Sequence, residues 1–124
     1  MSLRTPISKV RGLGSAKNGT HHWWMQKVTT VALVPLTLWF VYLVLRMANS
    51  GYDAALSLMS HPIHASLMVI FLTVGLYHLK LGLQVVVEDY IPNHKTKIFS
   101  LMMISFACVV VGVISVLSVI KIAL

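Results

Sequence analysis

The sequence predicts an all-α membrane protein with three transmembrane helices, and three observations carry that expectation. Of its 124 residues, 57% are hydrophobic and 10% charged, with a mean hydropathy of +0.83. A soluble domain this short must cover its core with polar surface, and ten Lys/Arg with three Asp/Glu cannot do so. The apolar residues fall into three stretches, each long enough for a helix to cross about 30 Å of hydrocarbon. The basic residues alternate in density between the segments that join those stretches, as they do in multi-pass membrane proteins. A soluble enzyme is thereby excluded. The net charge of +7 points to lipid headgroups or an acidic partner, not nucleic acid, because the basic residues do not form a patch interleaved with aromatics.

Residues 1–27 form a basic tail and residues 28–124 a three-helix anchor. The tail lacks the charged n-region and cleavage pattern of a signal peptide, and Gly12, Gly14 and Gly19 oppose the amphipathic helix of a mitochondrial transit peptide. The first span is expected over 28–45, with Trp23, Trp24, Trp39 and Tyr42 as interfacial aromatics and Pro35 as a kink packed on a neighbouring helix. The second covers 63–87. Pro92 stops it, because a residue before proline avoids the α region. The third covers 98–120 and carries no charge, while Ser105, Gly112 and Ser115 permit close helix contact. The lone Cys108 allows no disulfide within the chain, and no Cys-x-x-Cys-His run is present for covalent haem. Arg4, Lys9, Arg11, Lys17 and Lys27 in the tail, with Lys95 and Lys97 after the second span, outweigh Arg46 and Lys121. The N-terminus is therefore expected inside and the C-terminus outside.

Ionisable groups within the second span mark candidate function. His78 lies about 15 Å from the inner end of its helix, too deep for water to satisfy it. Gly75 and Gly82 share its face, leaving a flat recess that would admit a porphyrin plane while the imidazole ligates iron. A neutral histidine hydrogen-bonded to a Ser or a carbonyl on another helix is the equal alternative. His64, 14 residues earlier, cannot clamp the same iron from the opposite side. Its spacing would suit a second stacked haem, or a cap at the helix entrance beside His61 and Pro62. Lys80 points about 200° away from His78, toward a headgroup or another subunit. Asp89 is about 20° from His78 in projection and about 16 Å nearer the inner surface, followed by Tyr90. Such an acid and phenol suit a quinone, the phenol holding a carbonyl oxygen and the acid delivering protons. They equally suit an ordinary interfacial helix end.

The run from His78 to Asp89-Tyr90, with twelve residues from His to Tyr in the second of three spans, resembles the small hydrophobic anchor subunit of succinate dehydrogenase (complex II), its cytochrome b small subunit. The tail from Arg11 to Lys17, followed by His22-Trp23-Trp24 and Lys27-Val28-Thr29, is similar to the alphaproteobacterial form. The resemblance implies that His78 is an axial ligand of haem b, whose other ligand comes from the larger cytochrome b anchor subunit. It implies that Tyr90 hydrogen-bonds ubiquinone, that Asp89 belongs to the same site, and that Lys27 contacts a haem propionate. The family often carries Arg there, and Lys offers a point charge instead of a fork. FAD and iron-sulfur clusters would lie in the flavoprotein and iron-sulfur subunits, and the assembly in the bacterial inner membrane. A fumarate reductase anchor, a haem-free structural adaptor and a transporter protomer relaying protons through Lys80 and His78 are the competing expectations. On the expected topology, alkaline phosphatase fused after Leu124 is active in intact cells and the same reporter inserted after Pro92 is inactive. The reverse pattern would overturn the orientation.

Overall fold

The computed structural model describes residues 17–124, and side chains from residue 20 onward. The calls on Arg4, Lys9, Arg11 and the Lys17 side chain lie outside the described residues. The chain forms four helices: α1 (Lys17–Ala48), α2 (Tyr52–Ser60), α3 (Pro62–Tyr90) and α4 (His94–Ala123). No strand occurs among the described residues. Three helices, α1, α3 and α4, are long and apolar enough to cross a membrane. Each exceeds the expected span at both ends. Hydrocarbon needs only about 20 residues, but backbone hydrogen bonding continues into the polar boundary until the chain supplies a stop. The expected division after residue 27 therefore falls inside α1, which also runs unbroken through Pro35. Pro35 is exposed, so the expected contact of a proline kink with a neighbouring helix is not made within this chain.

The helix ends are written into local sequence. His61 caps α3 by accepting from the Ile63 amide at 3.3 Å, and Pro62 occupies the first turn, where a missing N–H costs nothing. Ile91, extended as a residue before proline must be, closes α3. Asn93 then opens α4, its side-chain oxygen accepting from Lys95 N at 3.0 Å and Thr96 N at 3.4 Å. The short α2 is not foreseen by a search for membrane-length stretches. It starts after the extended Gly51, carries Asp53 in its first turn beside the positive end of the helix dipole, and buries Met59.

α3 is the central helix. It packs against α1 on one side and α4 on the other, while the backbones of α1 and α4 stay apart among the described residues. Two faces of this flat layer remain uncovered. Only 11%, 6% and 6% of the most apolar windows of α1, α3 and α4 are buried within the chain, so lipid or partner helices must cover the rest. The end that carries α2 is knitted from all four helices: Leu43, Met59, Ala65 and Val119 are buried together, with Trp39, Met47 and Leu72 packed around them. Phe40 and Phe71 stack across α1 and α3 at 4.7 Å between ring centres. Where α3 meets α4, a Cβ on Gly112 would stand 3.3 Å from Leu76 Cδ1, so the glycine sets the spacing of the two helices. Gly112→Leu is expected to force them apart at a cost of about 1–3 kcal/mol, read as a lower melting temperature of the assembled complex in detergent. An unchanged melting temperature would show that the contact does not limit stability.

Candidate functional site

Thr29 of α1 and His78 of α3 meet across the helix pair, with 2.9 Å between Thr29 Oγ1 and His78 Nδ1. The same hydroxyl lies 2.8 Å from the Met25 carbonyl and 3.0 Å from that of Gln26, one turn back on its own helix. Thr29 is the only buried polar residue among those described, at 6% exposure. Interhelical hydrogen bonds in bilayers contribute about 0.6 kcal/mol on average, so this contact orients the imidazole more than it holds the helices together. The alternative of a histidine satisfied from another helix is thus realised at one nitrogen. Nε2 is different: among the described residues it has no hydrogen-bond partner, yet it is not among the shielded unpartnered atoms, so it keeps some exposure on the chain. Along the same face, a Cβ on Gly75 would only touch Leu33 at 4.0 Å, and one on Gly82 would meet nothing within 4 Å. An accessible ring nitrogen beside a bare stretch of backbone fits the approach of a flat metallated macrocycle.

Glu88, Asp89 and Tyr90 occupy the last turn of α3, all exposed, Tyr90 at 80%. Gln84 Nε2 donates to Glu88 Oε1 at 3.0 Å, whereas neither Asp89 nor the Tyr90 hydroxyl has a hydrogen-bond partner among the described residues. Two carboxylates at the negative end of a helix oppose its dipole, and no basic residue in that turn offsets them. Their placement is unfavourable for the isolated helix and leaves both Asp89 and Tyr90 free for an external ligand or partner. The structure therefore presents two separated groups on α3, His78 in the span and Asp89-Tyr90 at its end.

Lys27 leaves α1 about 200° from Thr29, and its ammonium lies 5.8 Å from the centre of the Trp23 ring. Lys80 lines a groove of about 480 Å³ between α3 and α4, with Thr73, Tyr77, Ser105 and Cys108. It thus faces the opposite side of α3 from His78, as their 200° separation requires, and the two share no path. His64 accepts from Trp39 Nε1 at 3.2 Å and stacks on that indole at 6.0 Å, while His61 is the residue that caps the helix. Among the described residues no group of three His, Cys, Asp or Glu converges on a metal site.

Sequence reasoning did not single out Thr29 or the role of His22. His22 Nε2 is shielded without a hydrogen-bond partner. His22, Gln26 and Thr29 follow one another at four and three residues, one stripe of α1, and this register was the available signal. Thr29 was legible only as an unremarkable threonine, because nothing in one sequence says which helix faces which.

A membrane-spanning helical layer with an open imidazole in the span and an acid–phenol pair at one end defines an anchor-type subunit that works within a larger assembly. The chain belongs to the succinate dehydrogenase/fumarate reductase transmembrane subunit family, which matches residues 1–114. It is 36% identical to a succinate dehydrogenase hydrophobic membrane anchor subunit of Rickettsia bellii, covering 92% of this chain and 94% of that one. Its identity to the protein of the same name is 32% in Rickettsia conorii, over 87% of this chain and 86% of that one. In Paracoccus denitrificans it is 31%, over 90% and 87%. No solved structure matches the chain. Because Lys80 faces the α4 groove, Lys80→Met is expected to leave the visible spectrum and quinone reduction of the assembled complex unchanged. Loss of either would implicate Lys80 and favour the proton-relay alternative.

Proposed function

We propose that this chain is the membrane anchor of a succinate:ubiquinone oxidoreductase, seated in the bacterial inner membrane with its N-terminus and the α3–α4 turn on the cytoplasmic side. Its family, together with relatives named as succinate dehydrogenase anchors, is the observation that carries the reading. The same names favour succinate oxidation over fumarate reduction. The partners are the larger cytochrome b anchor subunit, the iron-sulfur subunit and the flavoprotein subunit, the last two holding the iron-sulfur clusters and FAD. Uncovered faces on all three spans support docking against further transmembrane helices.

His78 would hold haem b through Nε2, with a second ligand from the larger anchor subunit. An open Nε2, the bare Gly82 and the unpartnered His22 Nε2 support a fit to such a group, because each lacks something that a bound haem or its polar substituents would supply. When bound, the haem supplies a one-electron redox centre within the span. Lys27 enters as a propionate contact through the resemblance, and its flexible stem would have to leave the Trp23 ring to reach one.

Ubiquinone is reduced at the inner end of α3, where the exposed Tyr90 hydroxyl donates to a quinone carbonyl oxygen and Asp89 stands beside it to pass protons. Electrons arrive from the iron-sulfur subunit, and this chain contributes position and protons to the reaction. In support, the two residues are adjacent, exposed and unpaired among the described residues.

Two substitutions separate the parts. His78→Leu in the complex purified from membranes is expected to abolish or strongly perturb haem b absorbance, and an intact spectrum would contradict the ligand assignment. Tyr90→Phe is expected to lower quinone reduction at least tenfold while succinate oxidation with an artificial acceptor persists, on the scale of a positioned proton donor. Equal loss of both activities would instead make Tyr90 a residue of assembly.

A further inference from the structure

We propose that Thr29 is a positioning residue for His78: by accepting a hydrogen bond from Nδ1–H it fixes the imidazole as the tautomer whose Nε2 carries the free lone pair. The inference rests on the reading of His78 as a haem ligand and deepens it. Its basis is the crowding around one hydroxyl. Thr29 Oγ1 has three neighbours within hydrogen-bond distance, the Met25 and Gln26 carbonyls at 2.8 and 3.0 Å and His78 Nδ1 at 2.9 Å, but only one hydrogen to give. Carbonyl oxygens accept and never donate. Spending the hydroxyl hydrogen on His78 would leave two oxygen–oxygen contacts without a proton between them. Placed on a carbonyl, it leaves Oγ1 with a lone pair toward Nδ1, which must then carry the ring hydrogen.

The consequences follow from position. Thr29 is buried and bound back onto its own helix, so the acceptor does not move. The imidazole cannot turn over without losing its bond in a medium with no water to replace it. Nε2 is left deprotonated, open and directed by the contact at the opposite side of the ring. A hydrogen bond at the far nitrogen also makes an imidazole a better donor to iron, more so to the ferric than the ferrous state. The carbonyl–hydroxyl–imidazole chain strengthens that effect through polarisation. Thr30, next in sequence, is exposed and binds only the Gln26 carbonyl at 2.7 Å, which makes it an internal control.

The test uses the whole complex purified from membranes, with redox titration of the haem and its low-spin electron paramagnetic resonance spectrum as readouts. Thr29→Val preserves shape and removes the hydroxyl. A tenfold preferential loss of ferric affinity is expected, which for a one-electron couple moves the midpoint positive by about 59 mV. The principal g-values are expected to shift as the ring loses its stop, Thr29→Ser to restore both, and Thr30→Val to change neither. An unshifted midpoint and spectrum in Thr29→Val would overturn the inference, and the ligand assignment would stand if His78→Leu still removes the haem signal. An intact haem signal in His78→Leu would overturn both. If Thr29→Val fails to assemble, Thr29→Ala carries the same readouts. Failure of both with normal assembly of Thr29→Ser would make Thr29 a residue of folding and overturn the positioning role.

Discussion

A hydrocarbon surround gives polar groups nothing to bind, and that constraint organises this molecule from backbone to site. It explains why the spans are unbroken helices, each amide being served within its own segment. It also explains why hydroxyls within the spans turn back on their own helices, as Thr73 does on the Val69 carbonyl and Ser118 on the Ile114 carbonyl. The two histidines that cannot be served locally are served across the α1–α3 pair, His64 by Trp39 and His78 by Thr29. Of these, the His78 contact is the one that also leaves a ring nitrogen open.

The two ends of the helical layer are built differently, and function follows the difference. At one end α2 gathers Leu43, Met59, Ala65 and Val119 into the small core, giving the layer a fixed base. Toward the other, where α3 ends at Tyr90, the backbones of α1 and α4 stay apart on either side of α3, the chain buries little, and the acid–phenol pair stands exposed. Among its described residues a single chain so constructed leaves its apolar faces without cover, as expected of a subunit completed by partners.

The existence of three spans was legible because apolar length is a local property, and so was the opposition of His78 and Lys80, which needs only the helical repeat. Pro92 announced its helix end for the same reason, whereas the caps supplied by His61 and Asn93 were not read from the sequence. What escaped was non-local. α2 is too short for a membrane-length search and is held by the contact of Met59 with Leu43, Ala65 and Val119. Whether His78 met a hydroxyl, a carbonyl or nothing depended on which face of α1 turned toward α3, and a threonine among valines carries no mark of that. His64 shows the same limit in reverse: proximity to His61 and Pro62 suggested a cap, but Trp39, 25 residues earlier, takes its Nδ1.

The central claim is that α3 offers the Nε2 of His78, held from behind by Thr29, to a haem shared with a second anchor subunit. A high-resolution structure of the complex purified from native membranes tests it most directly. The account predicts iron within bonding distance of His78 Nε2, the macrocycle against the Gly82 stretch of α3, and Nδ1 still on Thr29 Oγ1. Iron bound through Nδ1, or no cofactor against this face of α3, would contradict it.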